Sequence, residues 1–126
     1  MLLDPRRDEP LDYLWLDLRD TFLFKPVHPE GTPEHSRADY TIRWLDLNIR
    51  PDLAGARRVA YENYRNGVEA YAAAKRGDAS AANLERRRRA LLKNGHITVW
   101  REMQRQHGEI DELRSLFEEV PEALRW

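Results

Sequence analysis

Apolar positions alternate near the start of the chain. In "YLWLDL" (13–18) Leu14, Leu16 and Leu18 alternate with Tyr13, Trp15 and Asp17, and "TFLFKPV" (21–27) follows after Arg19 and Asp20. A period of two over such short runs predicts two strands joined by a tight turn. A turn centred on Arg19-Asp20 sets Trp15 opposite Phe24 and Leu16 opposite Leu23. Pro26 ends the second strand or confines it to an edge. A lone hairpin is marginal in water, so the helices that follow are expected to cover it.

The period then lengthens. "HPEGTPEHS" (28–36) reads as a loop from its Pro, Gly and Ser content. Tyr40, Ile42, Trp44, Leu45 and Leu47 crowd a short helix over 36–46, with Asn48 suited to a helix end. Pro51-Asp52 opens the longest helix, 52–76, on which Leu53, Ala56, Ala60, Tyr64, Gly67, Val68, Tyr71 and Ala74 form one stripe. Arg58 with Glu62, and Arg65 with Glu69, stand at i, i+4 on the opposite side, where they are expected to pair. Gly77 stops this helix, and Asp78 or Ser80 caps the next. Helices are further expected over 80–93, 96–107 and 110–120. Their inward residues are Leu84, Leu91 and Leu92; Ile97, Trp100, Met103 and His107; and Ile110, Leu113, Leu116, Phe117 and Val120. Asn94-Gly95 reverses the chain between the first two of these, and Pro121 ends the last.

The pattern therefore predicts a mainly α protein, an N-terminal β-hairpin packed on a bundle of about five helices. At 126 residues a single domain is expected over 1–126, with the hairpin and loop in 1–35 and the helical part in 36–126. No run approaches the roughly 20 apolar residues of a membrane span. The opening "MLLDPRRDEP" lacks a signal-peptide core, so a cytoplasmic location is expected.

Charge changes the picture more than composition does. The net charge is −1, but residues 1–56 hold seven Lys/Arg against eleven Asp/Glu, residues 57–107 twelve against five, and residues 108–126 two against six. A basic middle lies between acidic ends. Either it offers a surface to a polyanion, or the acidic ends fold back and neutralise it.

The helix over 80–93 carries the densest charge, "ANLERRRRALLK". With Ala81 at 0° and about 100° per residue, Arg88 falls in the middle of the leucine stripe, while Arg86, Arg89 and Lys93 share an outer ridge. Arg87 points elsewhere, and Glu85 is placed to pair with Arg89. Arg101 and Arg105 on the following helix extend the ridge. Arg86, Arg89, Lys93, Arg101 and Arg105 are therefore the candidate nucleic-acid contacts. An arginine among leucines must snorkel or meet a carboxylate, so Arg88 calls for an acid from the N-terminal segment or a partner chain.

Other chemistry finds little support. The chain has no cysteine, which excludes disulfides, thiolate nucleophiles and Cys-based metal sites. His28, His35, Glu30 and Glu34 share one loop, but their spacing fits no zinc pattern, so solvated histidines are expected and no metal is assigned. His107 is expected to be a packed histidine with a hydrogen bond. Ser36, Ser80 and Ser115 sit in no G-x-S-x-G elbow, and no glycine-rich phosphate loop is present. The sequence thus points to a protein that is not an enzyme and needs no cofactor: a binding module for DNA or RNA, or alternatively a structural or regulatory protein-protein interaction module.

Two phrases, "LLDPRRDEPLDYLWLDL" (2–18) and "ADYTIRWLDLNIRPDLAGARR" (38–58), taken together, resemble the portion that follows the nuclease core in bacterial HNH endonucleases linked to retron and Septu antiphage systems. The likeness covers roughly the first half of the chain. It implies a helical accessory module that works beside a nuclease in antiphage defence or descends from one. The HNH core itself needs two histidines and an asparagine on a ββα frame. His28, His35 and Asn48 lack that order and frame, so no catalytic residue is carried over.

Overall fold

The computed structural model describes residues 10–45, 47–48 and 51–126. Residues 2–9, 46, 49 and 50 of the phrases that carry the family resemblance lie outside the described residues, as does the expected helix end at Asp46. The chain is mainly helical, with one two-stranded antiparallel hairpin near the N-terminus. It divides into two compact units, Met1–Ala56 and Arg57–Trp126, each described by itself below. Among the described residues no helix is long and apolar enough to cross a membrane.

The first unit holds a short helix α1 (Pro10–Tyr13), strands β1 (Leu14–Leu16) and β2 (Phe24–Pro26), and helix α2 (Pro33–Trp44). The hairpin packs on α1 and α2. Leu14, Ala38 and Ile42 form its core, with Tyr13, Phe24 and Leu47 against them.

The register differs from the expected one by a single residue: Trp15 faces Lys25 and Leu16 faces Phe24. Asp17 is the reason. Its carboxylate accepts from the backbone N–H groups of Arg19, Asp20 and Thr21 and from the Thr21 hydroxyl, at 3.1, 3.3, 3.4 and 2.9 Å. This side-chain-organised turn opens the loop wider than a two-residue connection. Asp17 and Leu23 close it through the bond from the Asp17 N–H to the Leu23 carbonyl at 3.0 Å. The wider loop places Phe22 at φ 55°, with its ring buried.

Burial pushes the Asp17 carboxyl up, but the hydrogen bonds from Thr21, Arg19 and Lys25 outweigh it and hold the pKa at about 2. A carboxylate held below its ordinary value stabilises the fold above the unfolded pKa, and that contribution disappears as pH falls through the folded one. Thermal melts should therefore show stability falling between pH 4 and about 2. An Asp17→Asn variant should lose part of that dependence; an unchanged pH profile would show that Asp17 is not its source.

Helix α2 starts three residues earlier than expected. Thr32 is its N-cap, accepting from the His35 N–H, and Pro33 takes the first helical position. Asn48 does more than end a helix: its side chain accepts from the Phe24 N–H and donates to the Phe24 carbonyl, both at 2.8 Å. One amide thus serves the outer edge of β2 as a neighbouring strand would.

Helix α3 (Pro51–Arg76) begins in the first unit and continues into the second, which adds α4 (Ala81–Leu92), α5 (Ile97–Gln106), α6 (Asp111–Glu119) and a 3₁₀ turn, Pro121–Arg125. Ser80 caps α4 by accepting from the Asn83 N–H. Gly67 lets Leu91 of α4 pack closely on α3: a Cβ there would stand 2.8 Å from Leu91 Cδ1, and the leucine would have to shift.

An aromatic cluster fills the interior of this unit. The Trp100 ring, fully buried, lies 5.2 Å from Tyr64, 5.8 Å from Phe117 and 6.4 Å from Trp126. Val99, Glu102 and Gln106 are buried on α5 whereas Ile97 is exposed. The inner face of α5 is thus rotated from the expected stripe. His107 is half-buried, edge-on to Phe117, with Nδ1 2.7 Å from the Gln104 carbonyl.

Candidate functional site

The charge of the second unit sorts itself by helix. The acids of the C-terminal segment meet the cations of α3: Glu112 pairs with Arg65, Glu119 with Arg76, and Glu122 with Lys75 at 3.0 Å. Helix α3 was expected to balance Arg65 against Glu69 on its own surface, but the ion pair runs to Glu112 on α6, 47 residues away. The C-terminal acids therefore meet three of the twelve cations of the basic middle, all three on α3.

Among the described residues, helix α4 and its C-cap Lys93 have no such counterpart. Residues 81–93 carry four arginines and one lysine against a single acid, Glu85. Glu85 binds two of them on its own helix. Its carboxylate accepts from Arg88 Nε and Nη2 at 2.9 and 2.7 Å and from Arg89 Nε at 3.1 Å. The bonds from Arg88, joined by those from Arg89, hold the Glu85 pKa at about 2, so it stays ionised at neutral pH. The acid expected for Arg88 from the N-terminal segment or a partner is thus its own neighbour three residues back. That works because Arg88 is half-buried rather than enclosed, and its guanidinium can lie along the helix.

The outer ridge forms as the helical spacing requires. Arg86, Arg89 and Lys93 are all exposed. Arg86 and Lys93 have no side-chain ion pair or hydrogen bond among the described residues. Arg87 is also exposed, and its Nε donates to Asn83 Oδ1 at 2.9 Å.

The two arginines on α5 hold other partners. Arg101 Nη1 donates to Gln104 Oε1 and to the Trp126 carbonyl, at 3.1 and 2.9 Å. Arg105 braces the fully buried Glu102, with Nε 2.9 Å from Oε1, and Gln106 donates to the same carboxylate at 2.6 Å. Glu102 was hard to foresee, since an acid on the apolar side of a helix contradicts the hydrophobic pattern. Arg105 three residues ahead was the only signal of it.

In the first unit, Tyr40 and Trp44 lie among the apolar residues that crowd α2. They are exposed and stacked on each other, 5.9 Å apart with 7° between their planes, beside exposed Leu45. Their i, i+4 spacing on α2 was the available signal for the stack. His35 Nδ1 lies 3.0 Å from the His28 carbonyl, and His28 meets the Tyr13 ring edge-on. Among the described residues no three side chains of His, Asp or Glu gather as metal ligands would.

No protein-family model, curated protein or solved structure matches this chain.

Proposed function

We propose that the protein is a non-catalytic binding module that contacts nucleic acid through α4. The observation that carries this reading is the unequal neutralisation of its cations: the C-terminal acids cover α3, whereas α4 with Lys93 keeps a surplus of four positive charges. Phosphate binding needs several cations acting together, and releasing counterions makes such binding steeply salt-dependent. Arg86, Arg89 and Lys93 are its principal contacts, with Arg101 and Arg105 as peripheral ones.

Titrating labelled DNA and RNA into the protein at low and at physiological salt tests the reading. Binding should weaken as salt rises, with a log–log slope of about −3 or steeper for duplex DNA if three or more phosphates are engaged. Absence of binding at low salt would overturn it. Glu85→Gln removes a negative charge beside the ridge while its amide oxygen can still accept from Arg89 Nε, so binding should tighten by about two- to fivefold at low salt. Weaker binding in that variant would show that aligning Arg89 needs the carboxylate itself.

The resemblance of residues 2–18 and 38–58 to the segment following an HNH core supports an accessory role beside a nuclease in antiphage defence. A nuclease encoded next to this protein should then co-purify with it. The exposed stack of Tyr40 and Trp44 with Leu45 favours a second reading, a protein-protein interaction module. In that case Trp44→Ser should abolish partner binding, while nucleic acid is not bound at all.

A further inference from the structure

We infer that α4 is a groove-reading helix whose exposed arc enters the major groove of B-form duplex DNA. The inference rests on the nucleic-acid reading and specifies which form of nucleic acid is bound.

The arc has a definite layout. Counting about 100° per residue from Ala81, it runs from Arg89 near 80° through Lys93, Arg86 and Ala90 to Arg87 near 240°. Arg89 and Arg87 flank it on opposite sides, with Arg86 and Lys93 in the middle. No acid lies within the arc, since Glu85 falls outside it next to Arg89.

The two flanking arginines are held alike. Arg89 is anchored through Nε to Glu85 and Arg87 through Nε to Asn83. In both, the terminal nitrogens make no hydrogen bond among the described residues. An arginine fixed at Nε presents its two outer nitrogens as an ordered fork, the geometry that binds phosphate oxygens. The central pair, Arg86 and Lys93, carries no such anchor and can reach for the acceptor atoms of guanine that line the major groove.

Size fits as well. Exposed Ala82 and Ala90 leave the helix thin along the arc, so the backbone can come close to a surface. A helix of about 10–12 Å diameter enters a B-form major groove about 12 Å wide, whereas the A-form RNA groove is too narrow and deep for side chains to read.

Single strands suit the arc poorly. Their binding sites combine cations with aromatic stacking platforms, and α4 has no aromatic residue. The large rings of its unit, Tyr64, Trp100 and Phe117, are buried, and Tyr71 meets Trp126 edge-on at 4.8 Å.

The test uses the whole protein and three probes: a short DNA duplex, one of its single strands, and the matching RNA duplex, followed by fluorescence anisotropy. The duplex DNA should bind about tenfold more tightly than the other two, and a major-groove dye should displace the protein where a minor-groove ligand does not. Ala90→Leu keeps the charge and the helix propensity but thickens the arc. It should weaken duplex binding about tenfold while leaving circular dichroism unchanged. Arg87→Ala, which removes a flanking fork, should also weaken binding.

Duplex binding untouched by Ala90→Leu, or competition by the minor-groove ligand alone, would overturn groove entry and leave the nucleic-acid reading standing. Tighter binding of the single strand, lost in Trp44→Ala, would place the contact on the α2 stack and overturn the inference. No binding of any probe at low salt would remove both readings together.

Discussion

Trp100→Ala should bring the Arg57–Trp126 unit close to unfolding, with a loss of about 3–5 kcal/mol. The ring is fully buried, and Tyr64, Phe117 and Trp126 all lie against it. Removing it opens a cavity where three other rings meet, and such a cavity collapses poorly. A whole domain is stable by only about 5–15 kcal/mol, so this is a large share. The indole Nε1 makes no hydrogen bond among the described residues. Trp100→Phe should therefore be milder, because it keeps most of the apolar bulk and removes an unsatisfied donor. Urea denaturation followed by far-ultraviolet circular dichroism checks both. Equal losses for the two variants would show that the ring contacts are not what holds the unit.

Charge reversal on α4 should have the largest effect on binding. Arg86→Glu, Arg89→Glu and Lys93→Glu together take residues 81–93 from a surplus of four positive charges to an excess of two negative ones. Low-salt affinity for DNA should fall at least about 100-fold, and the salt dependence should flatten by about three phosphate contacts. All three side chains are exposed, so helix content and melting temperature should hardly change. The charge-matched comparison sets Lys93→Gln on α4 against Lys75→Gln on α3, whose charge already meets Glu122 at 3.0 Å. The α3 variant should alter affinity by no more than about threefold and less than the α4 variant does. Equal losses in these two single variants would mean that binding follows overall charge rather than α4.

Much of the fold can be read from apolar spacing. The hairpin, the long helix from Pro51, the cap at Ser80 and the inward faces of α4 and α6 all follow from periods of two and 3.6 and from caps. What could not be read depends on side chains acting over distance. The hairpin slipped by one residue because a buried carboxylate, not the turn dipeptide, sets the loop. Thr32 followed by Pro33 was a readable helix start, obscured by the loop-like composition around it. The edge contact of Asn48 with Phe24 spans 24 residues, which no local pattern encodes.

The candidate site divides in the same way. Helical geometry alone placed Arg86, Arg89 and Lys93 on one outer ridge and set Arg88 apart from them. The partners of Arg101 and Arg105 depend on Trp126 and on a buried Glu102, both settled by tertiary packing. So is the pairing of the C-terminal acids with α3. Sequence showed that acidic ends flank a basic middle. Only the fold shows that the C-terminal acids meet the part of that middle that forms α3.

On the proposed reading, the surplus charge of α4 is what meets nucleic acid. Mapping amide chemical-shift changes by NMR while a DNA duplex is added at low salt tests it most directly, because each helix reports for itself. The largest changes should fall on residues 82–93, with α6 and the stacked rings of α2 nearly unmoved. Changes centred on Tyr40 to Leu45, or no changes anywhere at saturating duplex, would contradict it.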